Sequence, residues 1–233
     1  MDGARKIKRY GTMPVVIVMF AAGCIPLLSL QAAGAGSTPP ATFYFAEGTT
    51  RAGFQEYLCL GNPGSRDTVA RATYMFTDGG TREASYPVPA NSRCTVDVNG
   101  EVGPGKDVSV RIRSGTPCLV AERPIYFNYK GIWTGGSCAP GAVAPDTRWY
   151  FAEGNTLPEF DQYVTVLNPG PEEAGLVFHY MVEGEGEKNV PGKVRPRSRA
   201  TFKTRDQIGA GKHASLFLES TRGVVAERPM YFD

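Results

Sequence analysis

Hydrophobic and polar residues alternate along most of the chain after residue 40. In one clear stretch Ala70, Ala72, Tyr74 and Phe76 fall on one face, with polar residues between them. A period of two predicts half-buried β-strands, and no long segment shows the helical period. Alternation between turn signals predicts about seven strands in the first part of this region. They lie near residues 42–46, 56–61, 69–76, 81–87, 93–98, 107–113 and 118–127.

The same pattern of residues occurs twice. Tyr44-Phe45-Ala46-Glu47-Gly48 recurs as Tyr150-Phe151-Ala152-Glu153-Gly154, an offset of 106 positions. Near the end one residue is lost, and Ala121-Glu122-Arg123-Pro124 matches Ala226-Glu227-Arg228-Pro229. Many ordered matches at one offset indicate an internal repeat.

Short strands between turn signals, in a segment of this length, are typical of an immunoglobulin-like sandwich. We therefore predict an all-β fold with two tandem antiparallel sandwich modules, residues 42–129 and 149–233. Residues 130–148 contain Gly135-Gly136 and Pro140-Gly141. This composition predicts an irregular, exposed linker between the modules.

The first 35 residues have the composition of an export signal. Four basic residues precede an apolar run from Met13 to Leu30, and Ala33-Gly34-Ala35 fits the A-x-A cleavage pattern. A retained membrane anchor is the first alternative, because the run approaches spanning length. Lipidation at Cys24 is the second alternative. Each of the three predicts that the rest of the chain lies outside the cytoplasm, at the cell surface or in the extracellular medium.

Apart from the basic residues of the export signal, the charge distribution indicates little about function. The formal net charge is +2, and the basic excess lies in the first nine residues. The remainder is nearly neutral, so it offers no basic surface for nucleic acid. Membrane contact is expected only through residues 13–30, if they are not removed.

The repeated sequences resemble a known family. Tyr-Phe-Ala-Glu-Gly followed by Asn-Pro, Tyr-Met and Ala-Glu-Arg-Pro is similar to a tandem repeat module of secreted and surface proteins of bacteria. The resemblance covers residues 43–127 and 149–232. It implies β-sandwich stalk or wall-associated modules that often occur in arrays. It implies no catalytic residues.

Motifs for catalysis, metals and cofactors are not evident. His179 and His213 have no cysteine or histidine at ligand spacing. Gly135-Gly136-Ser137-Cys138-Ala139 begins like a nucleophile elbow but lacks the final glycine. Trp133 is the one aromatic residue that we would test for sugar binding. We expect no enzyme activity, no cofactor and no metal.

Four cysteines follow the export segment: Cys59, Cys94, Cys118 and Cys138. An even number in an oxidising compartment suggests two disulfides. Alternation places Cys94 inward and Cys59 outward, which disfavours a bond between them. The hypothesis is Cys94–Cys118 and Cys59–Cys138.

Charged residues recur at equivalent places in the two repeats. A glutamate follows the first strand, and a Glu-Arg pair lies in the last strand. These residues are Glu47, Glu122, Arg123, Glu153, Glu227 and Arg228. Paired carboxylates can perform acid–base chemistry, as in glycosidases. Because charges among apolar residues are normally paired, we expect structural ion pairs instead. Arg123 would pair with Glu47 and Arg228 with Glu153, or each arginine with the glutamate next to it across a turn.

The predicted function is therefore a non-catalytic, extracellular structural or adhesive repeat module. The alternative is a glycan-binding accessory module of a cell-wall enzyme system. For either function, the expected partner is a cell-wall or surface glycan or protein. A cluster of exposed aromatic side chains on one sheet face would favour the glycan-binding alternative.

Overall fold

The computed structural model describes residues 16–17 and 40–232, and strands dominate these residues. The first part contains β1 (Val16–Ile17), β2 (Thr42–Phe45), β3 (Phe54–Asn62), β4 (Thr68–Phe76), β5 (Thr81–Val88), β6 (Ser92–Asp97), α1 (Val98–Val102), β7 (Val108–Ser114), β8 (Val120–Tyr129) and β9 (Trp133–Pro140). The second contains β10 (Asp146–Phe151), β11 (Phe160–Asn168), β12 (Ala174–Val182), β13 (Gly186–Val194), β14 (Ser198–Lys203), α2 (Thr204–Ile208), β15 (Ala214–Glu227) and β16 (Met230–Phe232). The all-β class predicted from the alternation is confirmed.

The N-terminal half, residues 42–140, contains two antiparallel sheets. One has the strand order β2-β7-β4-β5 and the other β9-β8-β3-β6, with β1 parallel to β9 at its edge. The apolar faces of the two sheets meet in one core. Its larger side chains are Phe45, Leu58, Leu60, Tyr74, Val110 and Ile112. The alternating positions therefore point inward, as expected from the period of two.

The C-terminal half, residues 146–232, has its own core. Its strand order is β13-β12-β15-β11-β14, with β10 beside β15 and β16 beside β11. Strand β15 is 14 residues long. It pairs with β12 near its start and with β11 near its end. The core includes Val164, Val166, Phe178, Tyr180, Leu216 and Leu218.

Residues matched by the sequence offset, called equivalent residues below, have equivalent strand partners. Tyr74 pairs with Val110 in the N-terminal half, and Tyr180 pairs with Leu216 in the C-terminal half. Likewise Leu60 pairs with Cys94, and Val166 with Ala200. The two halves can therefore be compared residue by residue.

The prediction of an irregular linker over residues 130–148 is wrong for residues 133–140. Residues 133–140 form β9, which pairs with β8 from Glu122 to Tyr129. Lys130 and Gly131 form the tight turn between the two strands with positive φ angles of 54° and 72°. Glycines at 135 and 136 suggested a loop, but the edge of β8 offers unpaired backbone groups that this segment satisfies.

Two short helices also depart from the predicted strands. Helices α1 and α2 are five residues each and follow β6 and β14. Each ends at a glycine with a positive φ, Gly103 at 81° and Gly209 at 90°. Asn99 in α1 bonds both the backbone nitrogen of Glu56 at 2.9 Å and the carbonyl of Phe54 at 2.9 Å. Helix α1 therefore supplies hydrogen-bond partners for backbone groups at the start of β3.

A buried asparagine explains the repeated Asn-Pro-Gly sequence. Asn62 Nδ2 donates to the carbonyls of Arg66, Val88 and Pro89 at 2.8, 3.1 and 3.1 Å. Its Oδ1 accepts from Gly64 N at 3.0 Å. Asn168 makes the same four bonds in the C-terminal half. One side chain thus provides hydrogen bonds to backbone groups in a turn, where no neighbouring strand can pair with them.

The predicted disulfides are not formed, since the four cysteines of the described region are free. Strand β3 lies between β6, which carries Cys94, and β8, which Cys118 precedes. Strand β8 lies between β3, which carries Cys59, and β9, which carries Cys138. Two strand spacings amount to about 9.5 Å, beyond the reach of a disulfide. Inward and outward alternation alone could not show these intervening strands.

The predicted export segment, residues 1–35, lies outside the described residues except for Val16–Ile17, and so does Cys24. Within the described part of the chain, no helix has the length and hydropathy needed to cross a membrane.

Candidate functional site: the charged junction between the halves

The charged residues singled out in the sequence meet where the two halves contact each other. Apolar residues form the floor of this junction. Tyr44, Ala46 and Met75 of the N-terminal half pack against Leu167 and Val225 of the C-terminal half. All five are buried. The expectation of separate modules joined by an exposed linker is therefore replaced by a packed interface.

Arg123 lies at the centre of the junction. It projects from β8, is fully buried, and its guanidinium stacks over the Phe45 ring at 5.7 Å. Its Nη1 donates to the backbone carbonyl of Glu47. Its carboxylate partner is Glu227 of the other half, with Nη1–Oε1 and Nη2–Oε2 distances of 3.2 and 2.9 Å. Glu227 also accepts a hydrogen bond from Ala46 N at 2.7 Å.

Arg199 is the second buried arginine, and it is not among the charged residues predicted from the sequence to form ion pairs. It projects from β14 of the C-terminal half into the N-terminal half. Its Nη1 donates to the carbonyls of Gly48 at 2.5 Å and Val108 at 3.3 Å. Its Nη2 contacts Glu47 Oε2 at 3.3 Å. The Ser-Arg match between the repeats was visible, but nothing in the sequence distinguished Arg199 from its exposed equivalent, Arg93.

Burial sets the protonation of two carboxyl groups at the junction. It raises the pKa of Glu47 above its usual value, against the opposing charges of Arg199 and Arg123. It raises the pKa of Glu56 to about 8, again against Arg123. No side chain donates a hydrogen bond to Glu56, and the contact with the Thr49 backbone lowers its pKa less than burial raises it. Burial therefore favours the neutral form of Glu56, since a buried charge without full compensation is costly.

The predicted ion pairs within each half are replaced by other contacts. Arg123 and Arg228 each donate to the backbone carbonyl of the expected glutamate, Glu47 or Glu153, and not to its carboxylate. Arg228 is half-buried, and its Nη1–carbonyl distance is 2.6 Å. Glu153 is exposed. Glu122 is also exposed, and its Oε2 lies 3.8 Å from Cys138 Sγ.

Aromatic residues form a second part of the junction. The rings of Tyr129 and Tyr231 stack with centroids 4.2 Å apart, and Trp133 stacks on Tyr129 at 5.6 Å. Tyr129 Oη donates to Asp161 Oδ2 at 3.0 Å, and Lys130 contacts the same carboxylate at 2.5 Å. Although burial opposes it, these bonds and Lys203 lower the pKa of Asp161. Trp133 therefore serves packing at the junction.

The two histidines are dispersed. His179 Nδ1 lies 3.0 Å from Glu187 Oε1, and its ring stacks on Phe217 at 5.0 Å. His213 is exposed, lies immediately before β15 and forms an isolated bridge with Asn155. Among the described residues, no group of three or more histidine, cysteine, aspartate or glutamate side chains is placed to hold a metal ion.

The geometry of the junction suits recognition between protein surfaces. A glycosidase needs two carboxyl groups that face a substrate across an open space. Here Glu47 lines a cleft of about 450 Å³ but contacts Arg199, and Glu227 is engaged by Arg123 and Ala46. The arginines act as positioned pairs for carboxylates and carbonyls, a role for which a guanidinium is well suited.

Comparison with known proteins adds little. No protein-family model matches the chain, and no curated protein matches it. Among solved structures, the chain is similar to the crystal structure of Thermotoga maritima 1070, with 17% sequence identity. The match covers 46% of this chain and 95% of that chain, with a TM-score of 0.41. A likeness this weak carries no conclusion about function.

Proposed function

We propose that this chain is a non-catalytic structural or adhesive module of the bacterial cell surface. Two immunoglobulin-like sandwiches would follow an export segment at residues 1–35. One observation carries the proposal: Arg123 and Arg199 are buried at the junction and each binds a carboxylate of the other half. Charges that join two β-sheet units are used for architecture, whereas catalytic charges must face a substrate.

Buried ion pairs do not by themselves indicate high stability, because desolvation offsets much of their attraction. They do specify geometry, since each guanidinium accepts only a few arrangements of its partners. At this junction the pairs set the orientation of the two halves. A fixed orientation between sandwich units suits a surface protein that must present a distant part of itself in a defined direction.

Cell fractionation tests the localisation. Bacteria would produce the full chain with a C-terminal tag, and a matched chain without residues 1–35 would be the control. We expect the full chain in the envelope or culture medium and the control in the cytoplasm. Recovery of both chains in the cytoplasm would contradict the proposed surface location.

A glycan-binding role is the second candidate, and an exposed aromatic row supports it. On the outer face of the C-terminal half, Tyr150 stacks on Phe217 at 4.9 Å, and His179 stacks on the same ring at 5.0 Å. Tyr150 is exposed. Aromatic faces of this kind can stack on sugar rings.

Sedimentation with purified cell-wall glycan separates the two candidates. Tyr150→Ala removes the exposed ring from the row, and Tyr126→Ala removes an exposed tyrosine from the other half as a control. If the protein is a glycan binder, only Tyr150→Ala lowers the bound fraction. If the role is structural alone, the parent and both variants stay in the supernatant.

A further inference from the structure

The two halves contact each other through different surfaces. The surface of the N-terminal half, here called the socket, consists of Tyr44, Ala46, Glu47, Gly48, Met75 and Arg123. The surface of the C-terminal half, here called the plug, consists of Leu167, Arg199, Val225, Glu227 and Tyr231. An interface between unlike surfaces is heterologous, so within the two described halves one surface of each kind stays unused.

The unused socket lies on the C-terminal half. Tyr150 and Met181 are 69% and 43% exposed, whereas their equivalents Tyr44 and Met75 are 9% and 1% exposed. Alanine and glutamate at 152 and 153 are exposed as well. No residue of the described chain covers them as Leu167 and Val225 cover Tyr44, Ala46 and Met75.

A cleft marks the place where an arginine would enter this second socket. It has a volume of about 430 Å³ and is lined by residues that include Glu153, Gly154 and Ala214. In the N-terminal half, Arg199 donates to the carbonyls of Gly48 and Val108, which are equivalent to Gly154 and Ala214. The backbone is arranged alike in both places. Ala214 N donates to Gly154 O at 2.9 Å, as Val108 N donates to Gly48 O at 3.0 Å.

Arg228 at the second socket lacks the carboxylate that its equivalent has. Arg123 pairs with Glu227, but no carboxylate of the described residues lies within ion-pair distance of Arg228. Its Nε is buried without a partner. Burial lowers the pKa of Arg228, and the nearby charge of Glu153 only partly opposes this. The second socket therefore holds an incompletely compensated positive charge.

The unused plug lies on the N-terminal half. Val120 and Tyr126 are 54% and 56% exposed, whereas their equivalents Val225 and Tyr231 are fully buried and 8% exposed. Arg93 and Glu122, equivalent to Arg199 and Glu227, are also exposed. The four residues share the outer face of one sheet.

Arg93 makes one of the hydrogen bonds that Arg199 makes at the occupied junction, and its Nη2 also contacts Cys59 Sγ at 3.3 Å. Its Nη2 donates to Thr95 Oγ1 at 2.9 Å. The same bond, from Arg199 Nη2 to Thr201 Oγ1, measures 3.0 Å at the occupied junction. This shared bond restricts part of the Arg93 side chain before docking, which lowers the entropy cost of association.

We propose that a second copy of this chain docks head to tail, with its Arg93 and Glu122 surface seated in the socket formed by Tyr150, Ala152, Gly154, Met181 and Arg228. Glu122 of one copy would then supply the carboxylate for Arg228 of the other, and Arg93 would reach the carbonyls of Gly154 and Ala214. Repetition of this contact produces an open filament or a closed ring.

This contact is weaker than the junction within one chain. Leu167 of the occupied plug is replaced by Gly61, so one apolar side chain is missing. The bonds from Tyr129 and Lys130 to Asp161 are missing too, because the equivalent of Asp161 is Gln55. The covalent connection between the halves is also absent. Association is therefore expected to depend on concentration.

Sedimentation velocity of the exported full-length product tests the proposal at concentrations up to about 1 mM. The parent is expected to form oligomers. Arg93→Glu disables the plug and leaves the socket intact. Met181→Glu with Tyr150→Ser disables the socket and leaves the plug intact. Each variant alone is expected to be monomeric, with a dissociation constant raised at least about tenfold. Lys193→Glu, a charge reversal on the edge strand β13, is expected to behave as the parent.

Mixing the two disabled variants gives the decisive result. A head-to-tail contact predicts a dimer of one Arg93→Glu chain and one Met181→Glu/Tyr150→Ser chain, because one usable plug and one usable socket remain. A symmetric contact predicts no dimer in the mixture. The substituted residues are exposed, and thermal melting of each variant verifies that it is folded.

The inference rests on the proposed structural role, and the two fail in different ways. A parent that stays monomeric at about 1 mM, or a mixture without dimers, overturns head-to-tail docking even if the chain is found at the cell surface. Saturation of Tyr150 by a wall glycan in a monomeric parent also overturns it and favours the glycan-binding alternative. Cytoplasmic recovery of the full chain contradicts the structural surface role, whatever its oligomeric state.

Discussion

At the scale of single residues, Arg199 and Arg93 form a natural control pair. They occupy equivalent positions on β14 and β6, but Arg199 is 2% exposed and Arg93 is exposed. Arg199→Met leaves Glu47 buried without its facing partner. We expect a loss of about 3–5 kcal/mol in the free energy of unfolding. Arg93→Met should change it by less than about 0.5 kcal/mol.

Urea unfolding, followed by tryptophan fluorescence, measures both variants. Glu47→Gln combined with Arg199→Met should recover part of the loss, because the buried charge is removed with its partner. Equal losses for Arg199→Met and Arg93→Met would show that the junction does not depend on the buried pair.

Glu56 gives the molecule a pH dependence. The folded state raises its pKa from 4.5 to about 8. Between these pH values the folded state keeps the proton and the unfolded state loses it, so the contribution of Glu56 to stability falls as the pH rises. It is constant above about pH 8.

Glu56→Gln should flatten this decline, as the equivalent residue is already Gln162. Gln162 accepts from Asn155 N at 2.7 Å and donates to Thr204 Oγ1 at 3.2 Å. Thermal melting from pH 5 to pH 9 measures the effect. We expect the variant to be more stable than the parent at pH 9 and nearly equal at pH 5. A parallel decline in the variant would rule out Glu56 as its source.

At the scale of structural elements, the buried asparagines stabilise the turns that follow β3 and β11. Asn168→Ala removes three hydrogen bonds from Nδ2 and leaves carbonyl groups such as that of Val194 without a partner. A loss of about 2–4 kcal/mol is expected, since each stranded buried group costs on the order of 1–3 kcal/mol. Asn62→Ala should cost a similar amount. Denaturant titration of the two variants checks this equality, and a loss below about 0.5 kcal/mol in either would contradict the assignment.

Strand β9 can be tested by hydrogen exchange. Its backbone pairs with β8 along residues 133–140, so its bonded amides should exchange slowly. The adjoining segment 141–145 contains no strand and should exchange faster, apart from Gly141 and Ala142, whose amides bond Ala121 and Tyr44. Mass spectrometry of peptides from residues 130–148 separates the two behaviours. Uniformly fast exchange would restore the irregular linker predicted from glycine and proline content.

At the scale of the whole molecule, the junction couples the two halves. It contains an apolar floor, two buried arginines and a stack of three aromatic rings. We therefore expect one calorimetric unfolding transition for both halves. Arg199→Met combined with Glu227→Gln should separate this transition into two. The free energy of the remaining junction contacts would then be smaller than the difference in unfolding free energy between the halves. Two transitions in the parent would contradict the coupling.

The sequence was sufficient for the strands because strand formation follows local chemistry. Alternation at Ala70, Ala72 and Tyr74 decides which side chains point inward, whatever the rest of the chain does. The repeat offset also placed equivalent residues at equivalent strand positions. By contrast, Gly135 and Gly136 suggested a loop, and only the free edge of β8 shows why they lie in a strand.

The charged site depended on tertiary structure. The sequence selected Arg123 and Glu227, but it paired each with a neighbour in its own repeat. It did not select Arg199 or Glu56. Arg93 and Arg199 have nearly the same local sequence, so no local signal could show which one is buried. Desolvation and Coulomb energy depend on distances to atoms from remote segments, and those distances exist only when the halves are packed together.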